Sequence, residues 1–475
     1  MPRDTNVDIA VIGAGSGGLS VAAGAVQMGA SVLLVEKGKM GGDCLNYGCV
    51  PSKALLAAGH AAHEARSGGK FGVFNEEPKI DFTKVHEHVH NVIAAIEPND
   101  SVERFEGLGV KVIQAAAQFV SPNEIQAGEF RIKAKRFVVA TGSSATVPPI
   151  PGIEEVTVFT NETIFDLTEQ PEHLVIIGGG PIGMELAQAH RRLGCKVTVL
   201  EMFEVLAKDD REAADIVRQQ LIQEGVGIRE NIKIERIESD THGVGVFIID
   251  GENESHISGT HLLVAAGRKA NVEELNLTAA NVEHSPKGIK VDARLRSTNQ
   301  RVYAVGDVAG SYQFTHIASY HAGIVIRNIL FKLPAKVKYH AVPWVTFTDP
   351  EIAHVGADEK SAREKEGDSV KVTKWPYQEN DRAQAEQATQ GFVKVITGRR
   401  GRIRGTTIVG KNAGELIQPW VLAIDRGLKI GAMAGIIAPY PTLGEVNKRV
   451  AGSYYTDSLF SERTRRIVRF LMNFS

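Results

Sequence analysis

Two stretches of this chain follow one plan at one spacing. VDIAVIGAGSGGLSVAAGAVQMGASVLLVEK, from Val7, reads as strand, tight turn, helix and strand. HLVIIGGGPIGMELAQAHRRLGCKVTVLE, from His173, reads the same way. The first carries Gly13, Gly15 and Gly18 and closes its second strand on Glu36; the second carries Gly178, Gly180 and Gly183 and closes on Glu201. From first glycine to acid both intervals are 23 positions. In such a G-x-G-x-x-G loop the first glycine makes the turn. The second lets backbone approach a pyrophosphate, and the third lets helix pack on strand. The helix N-terminus offers free N–H groups to the anion, and the acid takes the ribose hydroxyls. One such loop is weak evidence. Two in strand–helix context, each with its acid, specify two dinucleotide sites, and two such cofactors in one chain point to electron exchange.

The remaining composition fits that reading. A length of 475 residues suggests roughly three domains. The hydrophobic share of 43% and charged share of 23% are those of a globular protein. From Val7 to Val35 only Asp8 is charged, which is long enough for a membrane span. Glycines interrupt the run, however, and Met1-Pro2-Arg3-Asp4 is unlike the start of a signal peptide. A buried strand followed by a buried helix gives the same apolar signal. The net charge of −2 argues against nucleic acid as a partner. Three cysteines, Cys44, Cys49 and Cys195, are too few for a secreted disulfide scaffold and suit a reducing, cytoplasmic setting.

The segment GGDCLNYGCVPSKALL, Gly41 to Leu56, separates Cys44 from Cys49 by four residues. Zinc sites favour C-x2-C spacing with a second ligand pair, so no metal site is expected here. A helix starting near Cys44 would bring Cys49 little more than a turn further on, within reach of a disulfide if the turn is tight. A thiolate at a helix N-terminus is acidified and reactive. Two buried structural cysteines are the alternative, and a neighbouring dinucleotide unit favours the redox pair. Cys195, in a helix-to-strand turn, reads as structural. FVVATGSS (Phe137 to Ser144), LLVAAGRKAN (Leu262 to Asn271) and RVYAVGDVAG (Arg301 to Gly310) read as buried strands ending in glycine turns. The last places Asp307 at a strand's C-terminal edge, where α/β proteins bind ligands.

The motif G-G-D-C-L-N-Y-G-C-V-P-S-K, with the duplicated fingerprints and A-V-G-D, resembles the class I pyridine nucleotide-disulfide oxidoreductases over residues 7 to 457. The resemblance implies an α/β chain with two Rossmann-like dinucleotide-binding domains and a C-terminal α+β dimerisation domain. The expected order is an FAD-binding part over 1–150, an NAD(P)-binding domain over 151–270, a second FAD-binding part over 271–340 and a dimerisation domain over 341–457. It further implies FAD contacts from Gly13, Gly15, Gly18, Glu36, Lys37, Gly42, Thr141, Gly142, Gly306 and Asp307. Nicotinamide-nucleotide contacts would come from Gly178, Gly180, Gly183, Glu201 and Gly267. Cys49 would be the thiol against the flavin, Cys44 the interchange thiol, and Lys53 would pair with Glu185 beside the flavin. Glu201 followed by Met202-Phe203-Glu204 suits NAD(H) over NADP(H), whose phosphate asks for arginine, with Arg211 as the nearest rival cation.

Dithiol-active members of that family carry H-P-T followed by an acid, supplied by the partner subunit of a homodimer. This chain reads Ala438-Pro439-Tyr440-Pro441-Thr442-Leu443-Gly444-Glu445. Tyr440 replaces the histidine, Glu445 remains, and a phenol is a poor base at pH 7. His316 and His321 are the alternative bases. Mercuric reductases also carry tyrosine there, but add a C-terminal cysteine pair; no cysteine follows Cys195 here. The expected activity is electron transfer from NADH through FAD to a Cys44–Cys49 disulfide, and on to a small disulfide or soft metal ion. Dihydrolipoyl dehydrogenase, mercuric reductase and membrane-surface NADH–quinone or partner-protein reductase are the alternatives. A non-catalytic subunit is disfavoured by the intact cysteines with Lys53 and Glu185. The tail, residues 458–475, places Ile467, Phe470, Leu471 and Phe474 at i, i+3, i+4 and i+7, with Arg463, Arg465, Arg466 and Arg469 largely elsewhere. A basic amphipathic helix of this kind sits on an anionic membrane surface or packs on its own dimer.

Overall fold

A strand with consecutive apolar residues has no solvent face, and Arg3–Ile12 ends on such a run, with Ile9 to Ile12 at most 4% exposed. The computed structural model describes residues 3–474 and forms two compact units. The first holds the chain up to Gly179, with Ala189–Met202 and Asn231–Val337; the second holds Gly180–Gln188, Phe203–Glu230 and the chain from Lys338 onward.

In the first unit, Arg3–Ile12 pairs in parallel with Val32–Glu36 on one side and Phe130–Val139 on the other. Lys111–Gln114 extends the sheet beyond Val32–Glu36, and Val302–Ala304 pairs in parallel with Phe130–Val139. The register matches Ile12 with Val139, and Val139 with Ala304. One sheet edge therefore releases the chain at Gly13, after Glu36, at Thr141-Gly142 and at Gly306-Asp307. Right-handed crossovers in parallel sheets bring ligand-binding turns to that edge. The helix Ser16–Gln27 buries Gly17, Gly18, Leu19, Val21, Ala22 and Ala25. Most of these are small side chains, and Gly18 shows why: a Cβ there would lie 1.9 Å from the Gly13 carbonyl oxygen.

The same unit holds a second parallel arrangement, Lys196–Leu200, His173–Ile177, His261–Val264 and Val158–Phe159. Leu200 and Val264 both align with Ile177, so Glu201, Gly178 and the Gly267 turn share one edge. The apolar run from Val7 to Val35 is thus strand, helix and strand. No helix among the described residues is long and apolar enough to cross a membrane.

The second unit contains an antiparallel sheet of five strands, ordered Pro343–Thr346, Glu351–Gly356, Ile403–Gly410, Phe392–Thr397 and Lys371–Pro376. Helices including Gln418–Asp425 and Glu445–Ser453 cover it, with Trp420 fully buried and its indole N–H donating to Asn447 Oδ1 at 2.8 Å. The indole's polar edge is thereby satisfied at no cost to core packing. The basic stretch near Arg400 is the turn between Phe392–Thr397 and Ile403–Gly410. The tail forms a helix over Glu462–Leu471, capped by Ser461 accepting from the Thr464 N–H at 3.3 Å. None of its residues is buried; Ile467, Phe470 and Leu471 are exposed, and Phe470 meets the ring of Phe474.

Candidate active site

The cysteines do not share a helix. Gly41 turns the chain with φ 84°, the short helix Gly42–Asn46 carries Cys44, and Tyr47-Gly48 break it before Cys49–Ser67 begins. This corrects the expectation of one helix running from Cys44 to Cys49. Gly48 is needed at the break because a Cβ there would approach Asp43 Oδ2 at 2.9 Å. Asn46 clamps the short helix by donating to the Met40 and Gly42 carbonyls, both at 2.9 Å. The break makes Cys49 the first residue of the long helix, at its positive dipole end. Cys44 is half-buried, Cys49 exposed and Cys195 buried; all three are free thiols.

The two active-loop thiols hydrogen-bond to each other, and that bond divides their acidities. Cys49 is lowered to about 6, first by the bond from Cys44, then by Thr315 and the Lys53 charge, against loss of hydration. Its Sγ lies 3.3 Å from Thr315 Oγ1. Cys44 is raised, first by the same bond and then by burial. Cys49 therefore ionises first and Cys44 keeps its proton. Cys195 is pushed up to about 12 by burial alone among raising effects. At neutral pH this separates one thiolate from two protonated thiols.

A partly buried polar network, hardly signalled by the sequence, lies against this loop. Arg268 Nη2 is 3.1 Å from Asp43 Oδ1, and Asn161 Nδ2 donates to the same oxygen at 3.0 Å and to the Tyr47 carbonyl at 3.0 Å. Arg268 also donates from Nε to Ser143 Oγ at 2.8 Å and from Nη2 to the Ser143 carbonyl at 2.7 Å. Ser143 Oγ donates in turn to Asp307 Oδ2 at 2.5 Å. Burial pushes the Asp307 carboxyl up, opposed by Ser143 and the Arg268 charge. Arg268 and Ser143 lay inside glycine-turn segments read only as strand ends; Asn161 and Thr315 had no motif to mark them.

The nucleotide loops can be tested by what their glycines do. Gly13 and Gly178 have φ of 104° and 113°, and a Cβ on either would sit 2.5 Å from a carbonyl oxygen, so both are demanded by the fold. Gly15 and Gly180 lack positive φ. A Cβ at Gly15 would meet nothing closer than 3.9 Å, and one at Gly180 nothing within 4 Å. Neither conformation nor packing requires glycine there, which leaves close approach by a ligand as the physical reason. The helix Ser16–Gln27 has no side-chain cap and no acid in its first turn, as an anion site requires. Glu36 accepts from the Ala14 N–H at 2.6 Å and from the Gly38 N–H at 2.7 Å, and Glu201 from the Gly179 N–H at 2.7 Å. Both loops fit a dinucleotide. Gly142 and Gly267 have positive φ with open space, and Gly42 packs on Gly15, a Cβ on Gly42 falling 2.7 Å from the Gly15 Cα. Thr141 Oγ1 donates to the Asn271 carbonyl at 2.7 Å, and Lys37 forms a surface ion pair with Glu274 at 2.6 Å.

In the second unit, Glu185 is buried and accepts from the Phe347 N–H at 2.9 Å. Gly183 is buried in the same helix, Pro181–Arg192. Tyr440 is 67% exposed, and its hydroxyl donates to Asp381 Oδ2 at 2.8 Å. That bond, with the Asp381 charge, raises the phenol's pKa further, so even less of Tyr440 is ionised at neutral pH than of free tyrosine. Glu445 opens the helix Glu445–Ser453, paired with Arg449 at 2.7 Å. Neither alternative histidine is placed as a ready base. His321 is buried, lowered to about 4, and its Nδ1 accepts from the Gly306 N–H at 3.2 Å. The His316 ring stacks on Phe314 at 5.1 Å. Among the described residues no group of three or more His, Cys, Asp or Glu could hold a metal ion.

Known proteins resemble this chain along most of its length. The profile described as pyridine nucleotide-disulphide oxidoreductase matches residues 7–322, and that of its dimerisation domain matches residues 342–451. The chain is 35% identical to a mercuric reductase of Bacillus cereus, covering 92% of this chain and 70% of that protein. It is also 35% identical to a dihydrolipoyl dehydrogenase of Geobacillus stearothermophilus, covering 93% and 94%. Among solved structures, the HOCl-induced flavoprotein disulfide reductase RclA from Escherichia coli, as a Cu(II) complex, superposes with TM-score 0.84 at 27% identity, covering 94% of this chain and 99% of that one.

Proposed function

The chain belongs to the pyridine nucleotide-disulphide oxidoreductase family, FAD-dependent enzymes with a dimerisation domain, and on that premise we propose that it is an NADH-dependent reductase of small disulfides or thiol-bound soft metal ions. FAD, when bound, supplies the two-electron link between nicotinamide and sulfur. Gly13, Gly15, Gly18, Glu36, Gly42, Thr141, Gly142, Gly306 and Asp307 would hold it, with Lys37 at the rim. Gly178, Gly180, Gly183, Glu201 and Gly267 would hold the nicotinamide nucleotide. The single observation that carries the reading is the pair of free thiols on adjoining helices, Cys44 on the short one and Cys49 at the N-terminus of the long one.

The chemistry assigned to the chain's own residues is thiol–disulfide exchange. Cys44 sulfur gives up its proton as it attacks a substrate disulfide; one S–S bond forms, the other breaks, and the first substrate sulfur leaves with the electron pair and takes up that proton. Cys49 thiolate then attacks Cys44, forms the internal disulfide and releases the second. NADH restores the dithiol, so the balance is disulfide plus NADH plus one proton giving two thiols and NAD+. With a soft metal ion the pair would deliver its two electrons to the metal. Lys53 favours the Cys49 thiolate, and Glu185 is assigned beside it on the resemblance alone. Tyr440 is far from ionising, which weighs against dithiol oxidation, and it would hydrogen-bond a leaving thiolate only by releasing Asp381. Arg211 is occupied by Glu204 at 3.2 Å and Asp215 at 3.0 Å, which supports NADH over NADPH. The exposed apolar stripe of the tail is open to the dimer partner or an anionic membrane surface.

A turnover screen tests this. NADH and NADPH are each supplied with lipoamide, glutathione disulfide, Hg(II), Cu(II) or a quinone. Expected is oxidation of NADH, about tenfold preferred over NADPH in kcat/KM, with a disulfide or metal ion as acceptor. Turnover confined to quinone and retained in Cys44→Ser would overturn the reading.

A further inference from the structure

Asp43 immediately precedes Cys44, and its carboxylate is fixed rather than solvent-mobile. One oxygen takes both the Arg268 contact at 3.1 Å and the Asn161 bond at 3.0 Å. Asn161 is buried and anchored to Tyr47, the residue at the helix break. Arg268 is largely buried, with Nε and Nη2 committed to Ser143 at 2.8 and 2.7 Å and Nη1 reaching Asn161 Oδ1 at 3.4 Å. An anion is thus locked onto the five-residue helix that carries the attacking sulfur. A fixed negative charge disfavours the charged form of a neighbouring thiol, and a nearby guanidinium cancels part of that effect.

The groups facing the sulfur pair come from three directions. Lys53 lies on the helix begun by Cys49, and its charge lowers that thiol. Thr315, at the start of Thr315–Ile329, is a neutral hydrogen-bond partner. Asp43, next to Cys44 on the short helix, brings a carboxylate to this side, with Arg268 against it at 3.1 Å.

We propose that Asp43 is a positioning residue of the dithiol: held by Arg268 and Asn161, its carboxylate restrains thiolate formation at Cys44 and Cys49 and so biases the reduced pair toward giving up its electrons. The inference rests on Cys44–Cys49 being the redox pair. The redox sense follows from charge. Reduction converts a neutral disulfide into a pair that carries one thiolate, and a resident anion makes that product less favourable. Arg268 and Asp43 should then act with opposite signs, and the Ser143–Asp307 arm ties the guanidinium to the edge where Gly306 turns.

The test uses the full chain with FAD bound, reduced anaerobically and alkylated with iodoacetamide across pH, the labelled cysteine being read by mass spectrometry. Asp43→Asn should lower the alkylation midpoint of the pair by about half a unit, roughly a threefold gain in thiolate, given the partial exposure of the carboxylate. Asp43→Glu, which keeps the charge, should return it toward the unsubstituted value, and Arg268→Gln should raise it. A midpoint unmoved or raised in Asp43→Asn, or the same shift in Asp43→Glu, overturns the proposal. If Asp43→Asn does not fold, Arg268→Gln decides alone: a midpoint unmoved or lowered overturns it. The underlying reading fails separately, if Cys44 and Cys49 remain open to alkylation in the oxidised, unsubstituted protein.

Discussion

The two nucleotide units are close copies in binding geometry and unlike in chemistry. Each has a first glycine forced by a positive φ, a second with open space around it, and an acid whose carboxylate accepts from the loop's own N–H at 2.6 or 2.7 Å. The copies diverge just after the acid. Beyond Glu36 the chain turns through Gly41 into the cysteine loop, whereas beyond Glu201 it presents exposed Met202 and Phe203. The repeated loop geometry suits two ligands of one class, and the thiols follow the acid in one copy alone. The lesson is that function resides in the site grafted onto the sheet edge, since loops of like geometry carry no redox group of their own.

The deepest break in that comparison is removal of a sulfur. Cys44→Ser should reduce disulfide turnover by at least about a hundredfold in a steady-state NADH assay, while FAD stays bound. Cys49→Ser should remove the long-wavelength absorbance that a thiolate gives beside bound flavin. Alkylation should track the same division: in the reduced protein Cys49 labelling rises through a pH near 6, while Cys195, near 12, stays unlabelled in the native state. Equal labelling of both would erase the distinction drawn here.

A symmetrical pair of substitutions separates the copies as binding sites. Gly15→Val should strip FAD, measured by flavin absorbance per chain, yet leave the circular dichroism of the fold intact. Gly180→Val should keep FAD and raise the KM for NADH by about tenfold or more, because the added methyls occupy the approach that the bare backbone leaves open. If both variants lose only FAD, the second loop is not a nucleotide site.

A smaller effect is expected at Tyr440. Dihydrolipoamide oxidation should be slow at neutral pH, and Tyr440→His should raise it by roughly tenfold to a hundredfold, since an imidazole titrates near 6.5 and can take the proton. No gain in Tyr440→His and no change in Tyr440→Phe would remove the phenol from the chemistry. The smallest effect concerns the tail. If Glu462–Leu471 meets membrane, the protein should sediment with anionic liposomes at low salt, and deletion from Arg463 should abolish that with FAD retained. A protein that stays in the supernatant assigns the stripe of Ile467, Phe470 and Leu471 to the dimer.

The sequence legibly carried whatever repeats or follows a backbone rule. The two G-x-G-x-x-G loops announced the strands ending at Ile12 and Ile177, because a positive φ after a buried strand has few solutions besides glycine. The apolar runs announced parallel strands, because a strand covered on both faces has no polar alternation to show. What it misjudged was local: Cys44 and Cys49 were expected on one continuous helix, and the extended φ of Tyr47 and Gly48 breaks it, Gly48 being a glycine because Asp43 occupies the space a Cβ would need.

Sequence alone therefore determined the two loops, their acids, the cysteine spacing and the tyrosine in place of a histidine, since each is a choice of residue at a fixed offset. Only the tertiary structure decided that Cys49 heads a helix, that Thr315 stands 3.3 Å from its sulfur, and that Asp43 and Arg268, 225 positions apart, form one ion pair. Those pairings depend on which strand ends the sheet brings to one edge, and long-range register leaves no periodic trace in the chain.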